Sequence, residues 1–313
     1  MFRMKIQLDS LAAKVVNSLC FFSLIAACVL CLEFFTACTL APTRLQNSDV
    51  ILEKKTLLPQ QQDLIFIDAR PRLDYSMGHV PGSISLRWEE FSQTKEPYRG
   101  LLDTDYFGLA RMLARKGISP EKKVIILGRG PAGLGEDGRL AWTLMTLGIL
   151  DVEIHHANEW IMSPSTQESY SAGPAASIWR PSVDESLFIS KEEFLKKATS
   201  ARDSLKDPLF LDVRSEKEYL KKEGPAWTQK IPDIAAVNIP WEHFFDSKGR
   251  VLAGASAQAW VKHLKDLGWS QDREVIVLSH HGVRSAAVVF ALRKMGFSKA
   301  RNMAGGYYEW VGP

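Results

Sequence analysis

The chain has 313 residues, 46% apolar and 24% charged, the values of an ordinary globular protein long enough for two domains. Its 39 Lys and Arg against 36 Asp and Glu leave a net charge of +3, and the basic residues are scattered rather than striped, which excludes a nucleic-acid footprint. All four cysteines, Cys20, Cys28, Cys31 and Cys38, lie in the first 38 residues, so nothing downstream can form a disulfide, a thiolate metal site or a persulfide.

Residues 1–38 run from a basic start through the apolar stretch Val15 to Leu32 to EFFTAC, the layout of a secretory signal. FFTAC, ending at Cys38, resembles a bacterial lipoprotein box, and TLAPTRLQNSD after it opens a polar tether over 39–60. LIAAC, ending at Cys28, is a rival box. Cleavage there would leave the apolar VLCLEFFTA at the new terminus, so Cys38 is the expected point of lipid attachment. An uncleaved membrane helix and simple cleavage are the alternatives. All three predict an exported, bacterial-type protein on the periplasmic or cell-surface side, the first two anchored to the membrane through this segment.

From residue 61 short apolar runs alternate with helical patterns. LIFID at 64–68 predicts a strand, with Asp68 and Arg70 at its end, then a GHVPG turn at 78–82, where His79 is expected to pin the backbone, then a short strand and Trp88. KVIILG at 123–128 predicts a buried strand, and GRGPAG at 128–133 a loop that Gly135, Glu136, Asp137 and Gly138 prolong before a helix begins. A short strand and Glu159-Trp160 close this unit, and SPSTQESYSAGPAAS at 163–177 reads as linker.

The second half repeats the first: LFLDV a strand ending on Asp212 and leading to Arg214, EKEYLKK a helix, AAVNIP a strand before Trp241, QAWVKHLKDLGW a helix. VIVLS is then a strand, SAAVVFALRKMGF a helix and ARNMAG a strand, before Glu309-Trp310. Matching segments lie about 150 residues apart, too far for a solenoid, so one domain occurs twice. The expected divisions are domain 1 at 61–163, linker at 164–185 and domain 2 at 186–313. Each is an α/β unit with a central, mainly parallel sheet and helices on both faces. The recurring Trp88, Trp160, Trp241 and Trp310 predict core or interface packing, and the Asp68–Arg70 and Asp212–Arg214 pairs predict structural ion pairs.

Sites in such sheets lie beyond the strand C-termini. In VIVLSHHGVRSAA, 275–287, a strand empties through a tight turn into a helix N-terminus, a ready anion cradle. Ser279 stands at its mouth. The expected anion-binding loop is His280, His281, Gly282, Val283, Arg284 and Ser285: Gly282 permits the turn, Arg284 brings charge and Ser285 caps, with Asp212 and Arg214 in support.

DAR with GHVPGS, DVR with IPDIAAVNIPW, and SHHGVRSA with ALRKMGF and NMAGGYYEW together resemble the rhodanese fold, and in tandem they are similar to thiosulfate and 3-mercaptopyruvate sulfurtransferases. That resemblance covers roughly residues 60 to 313. It implies a loop cysteine that carries sulfur as a persulfide, at the position held here by Ser279, and an inert first domain, whose equivalent position is Gly128. A hydroxyl is about five or more pK units less acidic than a thiol near 8.5 and cannot carry sulfane sulfur. Two further departures point away from transfer. Glu218 stands where the tandem enzymes tend to carry an arginine, adding an acid that would repel thiosulfate, and the GHVPG turn becomes KIPDI in the second copy.

Three other patterns carry less. GRGPAG fits G-x-G-x-x-G with acids about 20 residues on, but a dinucleotide fingerprint needs a helix opening at its third glycine. Ser279 beside His280 and His281 invites a hydrolase, with Asp212 as the third member, yet adjacent turn residues seldom face each other, and both histidines read as loop residues whose backbone lines the cradle. His155, His156 and His79 lack metal-site spacing. No metal and no cofactor is expected. The resulting expectation is a tandem rhodanese-like protein that has lost sulfur transfer and binds a small anion, a sulfur-containing ligand or a protein partner. Whether it catalyses anything stays open, the alternative being a residual sulfurtransferase or a hydrolase using Ser279.

Overall fold

The computed structural model describes residues 64–96, 98–160, 175–200 and 208–312. The signal and tether, with Cys28 and Cys38, and residues 164–174 of the expected linker lie outside the described residues. No helix among the described residues is long and apolar enough to cross a membrane.

Buried on both faces, residues 124–128 and Val275–Leu278 are continuous apolar runs, which is what the middle of a parallel sheet requires. In the first copy, β1 (Leu64–Asp68), β2 (Ile84–Ser85), β3 (Lys123–Gly128) and β4 (Val152–His156) form a parallel sheet in the order β2-β1-β3-β4. In the second, β5 (Phe188–Ile189), β6 (Leu209–Asp212), β7 (Val237–Asn238), β8 (Val275–Leu278) and β9 (Ala300–Met303) form a parallel sheet in the order β5-β9-β8-β6-β7. Non-consecutive neighbours mean crossovers, and the helices that make them cover both faces of each sheet.

In chain order these helices are α1 (Arg72–Met77), α2 (Tyr106–Arg115), α3 (Glu136–Thr146), α4 (Lys191–Ser200), α5 (Glu216–Tyr219), α6 (Gly254–Asp266), α7 (Val283–Lys294) and α8 (Gly306–Val311). Apolar side chains of α2 recur at Leu109, Ala110, Leu113 and Ala114, one stripe toward the core, and Asp105 caps its N-terminus by accepting from Gly108 N at 2.9 Å. α3 and α7 differ in being buried nearly all round. They pack on each other so closely that a Cβ on Gly138 would overlap Ala287, and one apolar core runs through both copies. Residues 175–184 carry no regular element, yet Ala176 N donates to Ala114 O and Trp179 Nε1 to Ile118 O, so this part of the linker is fastened to the first copy.

The helix after β3 begins at Glu136, earlier than expected. Gly135 is its left-handed N-cap residue, and Glu136 and Asp137 form an acidic first turn, which favours the positive end of the helix. It still opens three residues beyond Gly133, so the dinucleotide pattern stays without its helix.

Candidate functional site

β8 ends at Leu278, paired with Asp212, and Ser279 is the next residue. Its backbone carbonyl accepts from Tyr307 N at 2.9 Å, and that of His280 from Tyr308 N at 3.0 Å, so the first turn of α8 clamps the turn after β8. Gly282 closes it in the left-handed region (φ 73°), where a Cβ would overlap the carbonyl oxygen of Ala304. The backbone N–H groups of residues 280–284 donate to no acceptor among the described residues. They lie at the N-terminus of the 12-residue α7, where the helix dipole favours negative charge.

Ser279 is 1% exposed, and its Oγ lies 2.9 Å from Ser285 Oγ and accepts from Ser285 N at 3.3 Å. Ser285 was expected to cap; the structure reverses the roles, because Ser285 already lies in the first turn of α7 and the Ser279 hydroxyl reaches it instead. No imidazole or carboxylate among the described residues bonds the Ser279 hydroxyl. Asp212 is committed elsewhere: it accepts from Arg214 at 2.7–3.1 Å and from Tyr307 OH at 2.9 Å, and the Arg214 guanidinium lies 4.5 Å from the Tyr307 ring centroid. This is the expected strand-end ion pair, matched by Arg70 on Asp68 in the first copy. Tyr307, which sequence reasoning missed within NMAGGYYEW, joins the pair to the loop.

Ser279, His280, His281, Val283 and Arg284 line a cleft of about 440 Å³ whose opposite wall comes from the first copy, including Ala69, Trp88 and Arg99. Asp212 and Arg214 line a different cavity of about 260 Å³, and Tyr307, whose hydroxyl donates to Asp212 and whose N–H donates to Ser279 O, links them to the loop. Glu218 belongs to the cleft. It closes a capping box with Ser215 and holds Arg284 bidentately at 2.7 and 2.9 Å. Burial pushes the Glu218 carboxyl up, but Arg284 more than offsets this and holds it at about 2. Two expectations change: Glu218 is not a bare repelling acid, and Arg284 does not offer a free charge. Nor are the histidines merely polar loop residues. Trp227 meets both edge-on at 5.2 and 6.1 Å, and Tyr308 packs on His281 at 4.7 Å. Burial, with Arg284 beside it, pushes His280 down to about 4; burial and Arg99 push His281 down as well, so both are neutral at pH 7.

Comparison with known proteins matches the Rhodanese-like domain family over residues 53–155 and 195–312. This chain belongs to the rhodanese-like family. It is 24% identical to the thiosulfate sulfurtransferase of Pseudomonas aeruginosa over 83% of this chain and 93% of that one. Among solved structures it resembles Tum1 from Saccharomyces cerevisiae (TM-score 0.65, 20% identity, 80% of this chain and 90% of that one). It also resembles SseA, a 3-mercaptopyruvate sulfotransferase from Escherichia coli (TM-score 0.62, 19% identity, 78% and 92%).

The first rhodanese-like copy supplies an internal reference. Leu127 pairs with Asp68 as Leu278 does with Asp212, so Gly128 is the counterpart of Ser279. A Cβ on Gly128 would overlap the Asp137 carboxylate, whose Oδ1 accepts from the backbone N–H of Gly138 at 2.8 Å while its buried Oδ2 has no hydrogen-bond partner among the described residues. The cradle of the first copy thus holds a carboxylate of its own. His79 pins the neighbouring turn as expected, bonding Tyr75 O at 2.9 Å and stacking on the Tyr75 ring. Trp160 and Trp241 are buried, whereas Trp88 faces the cleft.

Proposed function

We propose that this chain is a sulfurtransferase-family protein that has lost sulfur transfer and works by binding, at the Ser279 loop, a small anion, a sulfur species or the anionic group of a protein partner. The family resemblance puts a persulfide-carrying cysteine at the first loop position, and here that residue is Ser279. One observation carries the reading: the Ser279 hydroxyl is buried and bonded to Ser285, with no base among the described residues to take its proton. No cysteine follows Cys38 that could substitute.

What persists is the binding half of the device. The free N–H groups of residues 280–284 form a concave donor set at a helix N-terminus. The carboxylate of Asp137, seated in the matching cradle of the first copy, supports an oxyanion as the ligand type. Binding by backbone groups does not need the serine side chain. Calorimetry with sulfite and thiosulfate on full-length protein is therefore expected to give affinities within about threefold for wild type and Ser279→Ala; a loss above tenfold would show the hydroxyl to be a ligand contact.

The proposed setting is outside the cytoplasm, with the domains at 61–163 and 186–313 tethered by residues 39–60 to a lipid on Cys38. Metabolic labelling with palmitate tests this. Label lost in Cys38→Ser and kept in Cys28→Ser supports it, and label absent from wild type contradicts it.

A further inference from the structure

The segment 92–102 brings the first copy onto the loop of the second. It is closed by Gln93 N to Leu101 O at 2.8 Å and Asp103 N to Phe91 O at 2.8 Å, and it carries Arg99 and Gly100. Gly100 adopts φ +97°, and a Cβ there would overlap the carbonyl oxygen of His281, so the two backbones touch. Arg139 of α3 fixes this meeting. Fully buried and facing no carboxylate, it donates to Gly100 O at 2.6 Å and to Gly282 O at 3.1 Å, and its guanidinium lies over the Trp88 and Trp142 rings at 5.7 and 4.7 Å. Arg99, Trp88 and the Ser279 loop are thereby held around one cleft.

Four of the six charges lining that cleft are paired, Arg87 with Glu89 and Arg284 with Glu218. Glu136 has no cation partner among the described residues and keeps its charge, its carboxylate held on its own loop by Leu134 N at 2.6 Å. Glu96, on the segment that carries Arg99, faces His281 and Tyr308 and does not line the cleft. Arg99 makes no hydrogen bond or ion pair with any described residue. Outside these charges and the loop residues Ser279, His280 and His281, the wall is apolar: Ala69, Pro71, Trp88, Leu134 and Val283. At about 440 Å³ the cleft has the size of a small-molecule site and is far larger than an inorganic oxyanion of a few atoms needs.

We propose that the cleft is a site for an organic monoanion with an aromatic or branched apolar body, the body against Trp88 and Leu134 and the acid group on Arg99. This rests on the reading of the loop as a binding site and narrows its ligand. Arg99 is the one lining guanidinium without a carboxylate partner among the described residues and offers a seat for one negative charge, and the apolar wall rewards carbon that a bare oxyanion lacks.

The test is calorimetric titration of the full-length protein with phenylacetate, acetate, thiosulfate and the uncharged phenylacetamide, in wild type and Arg99→Gln. Phenylacetate is expected to bind at least tenfold more tightly than acetate or thiosulfate. Arg99→Gln is expected to lose about tenfold for phenylacetate and nothing for phenylacetamide. Thiosulfate binding as tightly as phenylacetate, or an Arg99→Gln affinity equal to wild type, would overturn the proposal while leaving oxyanion binding at the loop intact. Thiosulfate turnover by the wild type would instead overturn the reading on which it rests.

Discussion

The turns after β3 and β8 leave equivalent strand ends, Gly128 and Ser279, and both close on a left-handed glycine, Gly135 and Gly282, placed directly before a helix. Between those ends the first copy has residues 129–134, the second only His280 and His281. The longer loop lets Asp137 fold back over Gly128 and fill the cradle with a carboxylate. In the shorter one the N–H groups have no acceptor among the described residues, and the side chain at the first position bonds the hydroxyl and N–H of Ser285 rather than a carboxylate. One scaffold thus yields a turn filled by its own carboxylate and an open one, and loop length decides which.

The comparison breaks most visibly at its glycines. Gly282→Ala drives a Cβ into Ala304 O at positive φ, whereas Gly135→Ala meets nothing nearer than Arg284 Cα at 3.3 Å. Denaturant unfolding is expected to show a loss of about 3 kcal/mol or more for the first and about 1 kcal/mol for the second. Equal losses would mean that the two turns are not differently constrained.

Acidity separates the copies next. Burial raises the Asp137 carboxyl from 3.8 to about 6 in the folded chain, against the pull of its N–H donors. A folded value above the unfolded one means that ionisation opposes folding. The Asp137 contribution to stability is therefore greatest below about pH 4 and falls by about 3 kcal/mol as the pH rises through 6. Asp137→Asn is expected to flatten the profile across that window and to be the more stable protein at pH 7; an unchanged slope would remove Asp137 from the account. A smaller effect is expected from Glu218→Gln, which frees Arg284 beside the open cradle. Thiosulfate affinity at low salt should rise roughly fivefold, about 1 kcal/mol, and no rise would mean that Arg284 does not face the ligand.

Much of this was legible in the chain. Two buried apolar runs, each followed by a turn and a helix, placed Gly128 and Ser279 in equivalent positions before any coordinates, and the Asp-x-Arg pairs declared the strand ends. The start of α3 was misjudged because its glycines outweighed the acidic pair Glu136-Asp137, itself a helix-start signal. Ser215-x-x-Glu218 is a capping-box pattern, which the reading of Glu218 as a repelling acid passes over. Arg139, Arg99 and Tyr307 stayed hidden for a different reason. Their roles come from contacts between segments far apart in sequence, which periodicity and local motifs do not encode.

The central claim is that the second cradle is intact and lacks only a thiolate. Its most direct test is sulfur transfer from thiosulfate and from 3-mercaptopyruvate to cyanide, by full-length wild type beside Ser279→Cys. No turnover in wild type with measurable turnover in the cysteine variant is the expected result, whereas clear turnover by the wild type would contradict the account.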